Sequence, residues 1–220
     1  DKSYYYVTAQ GSQGKRISNM APISANATMT TTVFDDYQFH EIDKFNIARL
    51  GRRWFGEQFK SQNEQSFEFQ FPNISTASPI SMTFAAAAIA YAPTSMSIEA
   101  NNQNVASAAF TAITASTNLA SESIGTGSFP AAENVTLKVK YNNNGVPSAD
   151  GYLDYIILKA KRNLRGYGKQ FRFQLNEAAT NTGVVEYVFS NAAGINQVWD
   201  ITDIYNVAKA ENTTGNNFFF

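Results

Sequence analysis

An all-β chain, built as an antiparallel β-sandwich or jelly roll with a smaller, separate or discontinuous β unit at its N-terminal end, is the fold class this sequence predicts. Three observations predict it. Apolar residues recur at every second position in short runs. Asn, Gly, Pro and Ser separate those runs. No long amphipathic helical stripe interrupts them.

Taken in order, Tyr4 to Val7 and Thr31 to His40 read as strands of the N-terminal unit, which with a corner motif is expected over residues 1–60. The sandwich is expected over 61–207. Ser66 to Phe71 opens it, with Phe67, Phe69 and Phe71 on one face and polar residues on the other; Pro72, lacking a ladder N–H, ends the strand. Ile80 to Tyr91 carries the run Ala85 to Ala88, for which propensity favours helix. Pro79 and Pro93 bracket it, and Met82, Phe84 and Ile89 make no helical stripe, so a strand with a crowded small-residue face is predicted. Ser97 to Ala100 continues after the turn at Pro93. Between Asn101 and Pro130, Val105, Phe110, Ile113 and Leu119 are irregularly spaced, and a strand or a short helix fits equally. Val135, Leu137, Val139 and Tyr141 alternate again before Asn142-Asn143-Asn144-Gly145, residues that tolerate positive φ. Tyr152 to Leu158 is apolar on both faces and reads as a central strand covered on both sides. Four basic residues between Lys159 and Arg165 predict its emergence into solvent. Phe171 with Phe173, Val184 to Phe189, Val198 to Ile201 and Ile204 to Val207 complete a meander. Residues 208–220 read as a strand leading toward a further domain.

Charged residues are only 16% of the chain, below the roughly 25% of an average domain, while 44% are hydrophobic and 14% aromatic. Seventeen basic against eighteen acidic side chains leave a net charge of -1, which gives no field to attract nucleic acid or an anionic membrane. The longest apolar run, Phe84 to Ala92, is far short of the roughly 20 residues of a spanning helix, so no direct membrane span is expected. There is no cysteine, which excludes thiolate catalysis and cysteine-ligated zinc. A chain without an initiator Met that ends in Phe218-Phe219-Phe220 reads as cut from a longer protein at both ends.

His40 is the only histidine; with Asp35, Asp36, Glu41 and Asp43 it lacks the ligand order of a calcium loop, and solvated turn carboxylates are the expected reading. No Gly-x-Ser-x-Gly elbow occurs. Glu68 and Asp154 are a conceivable carboxylate pair, but Asp154, between Leu153 and Tyr155, reads better as a buried acid accepting backbone or Arg hydrogen bonds. Gly11-x-x-Gly14-Lys15 reads as a turn rather than a phosphate loop. Four Asn-x-Ser/Thr matches, at Asn26, Asn73, Asn134 and Asn212, carry little weight in a chain this rich in Asn and Thr. Leu50-Gly51-Arg52-Arg53-Trp54-Phe55-Gly56-Glu57 is the least ordinary cluster. It could stack on a sugar or peptide, but a tight corner, with Trp54 and Phe55 plugging a seam and Arg paired to Glu, is the preferred reading.

Five segments in order also carry a family resemblance covering nearly the whole chain. They are Tyr4-Tyr5-Tyr6-Val7-Thr8 with Gly14-Lys15-Arg16-Ile17; Gly51 to Glu57; Phe67 to Asn73 with Ser78-Pro79-Ile80; Leu153-Asp154-Tyr155-Ile156 with Ala160-Lys161-Arg162; and Val198-Trp199-Asp200-Ile201-Thr202-Asp203. The chain resembles the region upstream of the peptidase domain in gingipain-like cysteine peptidases that serve as sortases of the type IX secretion system. The resemblance implies an exported, outer-membrane-associated, cell-surface protein of the Bacteroidetes type, which removes C-terminal sorting signals from cargo and links cargo to lipopolysaccharide. It implies for this chain a non-catalytic accessory role with no cofactor, because no position matches the family's catalytic Cys or His. The expected partners are its own downstream peptidase domain, other attachment-complex proteins and cargo. Arg52, Arg53, Trp54, Phe55, Glu57, Trp199 and Asp200 are the candidate interdomain or partner-contact residues. A carbohydrate-binding jelly-roll module and a structural adhesin segment stay open as alternatives.

Overall fold

The computed structural model describes residues 3–9, 11, 13–49, 51–114, 118–216 and 218–220. Its strands are, in chain order, β1 (Ser18–Asn19), β2 (Ala27–Thr31), β3 (Val33–Glu41), β4 (Glu57–Phe59), β5 (Glu64–Gln70), β6 (Ile80–Ile89), β7 (Thr94–Ala100), β8 (Gln103–Phe110), β9 (Ser121–Phe129), β10 (Asn134–Asn142), β11 (Asp150–Asn163), β12 (Val184–Tyr187), β13 (Gln197–Asp200) and β14 (Ala208–Glu211). Two sheets make the expected sandwich. One runs β5-β10-β7-β8; the other runs β3-β11-β6-β9, with β4 extending β3's side of β11.

Period-two sequence builds both inner faces. Phe67 and Phe69 of β5 lie opposite Leu137 and Val135 of β10, and Phe71, Val139, Met96, Ile98, Ala106, Ala108 and Phe110 complete that side. The other sheet contributes Ile80, Met82, Phe84, Ala86 and Ala88 from β6 and Leu153, Ile156, Leu158 and Ala160 from β11. The alanine run is a strand, as expected, because both of its faces are covered: Ala86 and Ala88 face the sandwich, and Ala87 lies with Phe55 and Tyr152. Close approach also fixes Gly125, where a Cβ would fall 2.1 Å from the Phe84 ring. The undecided 101–130 stretch holds strands β8 and β9, with 115–117 outside the described residues.

A second core lies at one end of the sandwich. Phe34, Leu164, Phe189, Ala192, Val198 and Phe218 are buried together, with Phe171, Phe173, Tyr187, Ile195 and Phe220 packed against them. Here β1 pairs in parallel with β14, β14 pairs with β13, and β2 pairs in parallel with β12. The boundaries at 60 and 207 therefore do not separate units. β3 and β4 belong to the sandwich, because their partner is the long central β11, while β1 and β2 join the carboxy-terminal strands. Residues 218–220 fold back, with Phe189 N donating to Phe218 O (3.0 Å) and Tyr187 N to Phe220 O (2.8 Å).

Other local expectations change too. Tyr4 to Val7 forms no strand and is 78 to 97% exposed, and Ile204 to Val207 lies in a turn rather than a strand. Phe171 and Phe173 are not in a strand; they pack by ring contact with Phe34 at 6.2 and 6.5 Å. β11 does not emerge at Lys159. It continues to Asn163, because Lys161 pairs with Asp35 (2.7 Å) and Glu177 (2.8 Å), and the buried Arg162 with Asp36 (2.9 Å).

Candidate functional site

The corner at 42–57 is held by backbone bonds between Phe45 and Phe55 (Phe55 N to Phe45 O, 2.8 Å; Phe45 N to Phe55 O, 2.9 Å) and from Gly56 N to Leu153 O (2.8 Å). Glycine is required at 56, where a Cβ would stand 2.9 Å from the Ile42 side chain and 3.0 Å from its carbonyl oxygen. Phe55 is 2% exposed and packs on Tyr152, ring centroids 6.0 Å apart. Trp54, the next residue on an extended chain, faces the other way and is 41% exposed. Leu50, at the head of the motif, lies outside the described residues.

Arg53 lies over the Phe55 ring (5.4 Å) and pairs with Asp154 (2.9 Å) and Glu122 (3.3 Å). Asp154 is thus the arginine-bonded acid its sequence neighbours suggested. A β-bulge puts it there: β11 pairs with β4 through Leu153 and with β3 from Tyr155, and its register against β6 shifts between the same two residues. The extra residue reverses which side chains face inward, so Leu153 and Ile156 both enter the core while Asp154 turns toward Arg53. Burial pushes the Asp154 carboxyl above its ordinary 3.8, outweighing the pull of Arg53 in the other direction.

Glu57, buried at 7%, meets His40 (3.1 Å) and Lys44 (3.7 Å) rather than Arg53. His40 also packs on Phe67, ring centroids 4.6 Å apart, so alternation along β3 turns it away from Asp35 and Glu41. Among the described residues no three His, Cys, Asp or Glu side chains gather as metal ligands. Glu68 lies in the other sheet from Asp154 and accepts from Thr136 (2.9 Å), so the two carboxylates form no pair.

Of the seven candidate contact residues, the structure gathers Arg53, Trp54, Phe55 and Glu57 at the corner, with Arg52 exposed beside them. Trp199 and Asp200 belong to the three-stranded sheet instead. Trp199 is 48% exposed because Val198 takes the inward position, and Asp200 accepts from Thr202 N (2.9 Å). Trp54 therefore does not plug a seam beside Phe55, contrary to expectation. Phe55 fills the corner, and Phe34 with Arg162 stacked on it (5.2 Å) fills the junction of the two cores.

The corner covers one end of the outer face of the five-stranded sheet, and the Lys161–Glu177 pair crosses the other. Between them the face is most exposed on its two outer strands, β3 and β9. Two rows cross it in register: Phe39, Ile157, Thr83, Thr126 and Glu41, Tyr155, Ala85, Ile124. Phe39 is 71% and Ile124 61% exposed. Glu41 and Glu122 edge the face near the corner, and Lys159, over the Tyr37 ring at 5.4 Å, edges the far side. Such a surface can bind a protein. Sequence reading missed Phe39 and Ile124; the available signal was β11, whose second apolar face (Tyr155, Ile157) implied a cover.

These features define a non-thiol β-sandwich module with a partly exposed apolar sheet face. No protein-family model matches the chain, and no curated protein matches it with significance. Among solved structures, the crystal structure of dimeric latent PorU from Porphyromonas gingivalis matches with a TM-score of 0.71 at 19% identity. The match covers 88% of this chain and 19% of that one. The chain therefore has the fold of part of PorU and spans about a fifth of its length. Two carbohydrate-binding modules overlap more loosely, each with a TM-score of 0.36 over 56% of this chain. One is CBM36 in complex with calcium and xylotriose (15% identity, 98% of that chain), and the other is the CBM36-1 domain of a multidomain xylanase from the Trinervitermes trinervoides hindgut metagenome (9% identity, 96% of that chain). Among the described residues no helix is long and apolar enough to cross a membrane.

Proposed function

We propose that this chain is the non-catalytic β region of a gingipain-like sortase of the type IX secretion system, exported to the cell surface, and that the outer face of its five-stranded sheet carries the peptidase domain of the same polypeptide. The observation that carries the reading is the PorU match over 88% of the chain, reinforced by the five sequence segments in the same order. The peptidase domain is the natural cover because a protein laid out like PorU has about four fifths of its length beyond this region. The exposed Phe39 and Ile124, with Arg53, Glu41, Glu122 and Lys159 at the edges, supply apolar residues with a charged rim, the usual anatomy of a protein contact.

The test begins with the complete gene product, which should encode a His- and Cys-bearing peptidase domain downstream; a different domain there removes the sortase reading. The 220 residues alone should not cleave sorting-signal peptides. Mixed with the separately produced peptidase domain, they should sediment as a one-to-one complex that Phe39→Asp or Ile124→Asp disrupts. A complex indifferent to both changes moves the contact off this face.

A further inference from the structure

Two hollows adjoin where the end of β5, the β9–β10 turn and the chain after β11 meet, and Asn73 lines both. One, about 250 Å³, is walled by Asn163 and Arg165, and the other, about 350 Å³, by Gln70, Asn134 and Tyr167. The backbone of Asn73 is fixed in the left-handed region (φ 58) by its N–H donating to Glu133 Oε1 (2.8 Å) and its carbonyl accepting from Asn163 N (2.9 Å). Its side-chain amide is left over. The amides of Gln70 and Asn134, the Arg165 guanidinium and the Tyr167 hydroxyl likewise make no hydrogen bond or ion pair with another described residue. Tyr167 is 52% exposed.

We infer that this groove is a binding site for a neutral oligosaccharide. Each free amide offers two donors and an acceptor in one plane, which matches neighbouring hydroxyls that both give and take protons. Tyr167 adds a ring face on which the C–H side of a sugar can lie. The groove holds one cation, Arg165, and one carboxylate, Glu133, so it has no net charge with which to select an anion. An added peptide strand is disfavoured: the Gln38 side chain occupies both the N–H (3.4 Å) and the carbonyl of Gln70, and Pro72 has no N–H to give. The larger hollow lies near the lower limit of ligand pockets, which suits one or two sugar rings. The inference does not depend on the sortase reading.

Titrating the isotope-labelled chain with maltotriose, cellotriose, mannotriose and triacetylchitotriose should shift the side-chain amide resonances of Gln70, Asn73 and Asn134 with at least one of the four. Tyr167→Ala should weaken that binding by about tenfold or more without moving the melting temperature, whereas Ile124→Ser on the sheet face should leave it unchanged. The inference is overturned by silence with all four sugars at their solubility limit, by shifts elsewhere, by binding that ignores Tyr167→Ala, or by a neutral tetrapeptide that moves the same amides as strongly.

Discussion

In the sandwich, β4 aside, strands run from 7 to 14 residues and pair antiparallel, each turning alternate side chains into a core of aliphatic, alanine and phenylalanine residues. In the carboxy-terminal unit strands run from 2 to 5 residues, two of the pairings are parallel, and the core is mostly rings, such as Phe173 against Tyr187 (5.3 Å) and Phe189 (5.4 Å). There, side chains do what ladders do elsewhere. Asn212 Nδ2 donates to the carbonyls of Ala192 (3.0 Å), Ile195 (3.0 Å) and Gly215 (2.9 Å), so one of the four apparent glycosylation matches is an internal clamp. Long ladders make a region whose stability is shared; ring clusters and clamps make one that can open by itself.

The largest effect that tests this contrast is Phe84→Ala. Phe84 is fully buried between the sheets, and its loss should cost about 3 to 5 kcal/mol, read as a lower denaturant midpoint for the whole chain. Phe173→Ala should instead speed amide exchange in β12 to β14 while leaving β6 and β10 protected. If both changes melt the molecule in one step, the two regions are a single cooperative unit.

Next comes the junction. Arg162 is bonded to Asp36 and to Pro72 O (2.6 Å) and covers Phe34, so Arg162→Ala leaves a partly buried carboxylate unpaired and should cost about 3 kcal/mol. A double-mutant cycle with Asp36→Ala checks it; additive losses would show that the pair does not couple the two cores. Smaller still, Trp54→Ala and Trp199→Ala should cost about 1 kcal/mol each, since both rings are nearly half exposed. Thermal melts beside Phe84→Ala decide whether either tryptophan is structural.

The smallest effects separate the regions by sign of pH dependence. Asp154, raised above 3.8 chiefly by burial, contributes stability that is complete below pH 3.8 and is lost as pH rises through its higher folded value. Glu177, held below 4.5 by the Lys161 ammonium, contributes stability that is present above pH 4.5 and is lost as pH falls through its lower folded value. Relative to the parent, Asp154→Asn should therefore lose ground toward acid and Glu177→Gln should lose ground toward neutral pH. Melting temperatures across the acid range check both, and parallel curves for the two variants would contradict the opposed signs.

Much of the sandwich was legible because its signal is local. The triple-Phe strand, the Val135 to Tyr141 alternation and the proline-bracketed alanine run each declare a strand without reference to a partner. In the carboxy-terminal unit only the strands at Val184 and Val198 were legible, because Phe171, Phe173 and Phe218 pack by ring contacts between distant segments, which leave no period in the sequence. The outer face of the five-stranded sheet was half legible. Arg53 and Asp154 stood out as a corner motif and an acid in an apolar strand, but only the bulge brings them together. Trp54 misleads because a large ring suggests burial, whereas the inward position beside it belongs to Phe55.

The parallel pairings of β1 with β14 and β2 with β12 join the beginning of the sequence to its end. During synthesis β1 and β2 must therefore wait for their parallel partners β14 and β12, as β3 must wait for β11, whereas β7 and β8 can close at once as a hairpin. Contacts so distant in sequence form late and slowly. That order would make the docking of β1 and β2 against β14 and β12 a later step of folding than the closing of the β7–β8 hairpin.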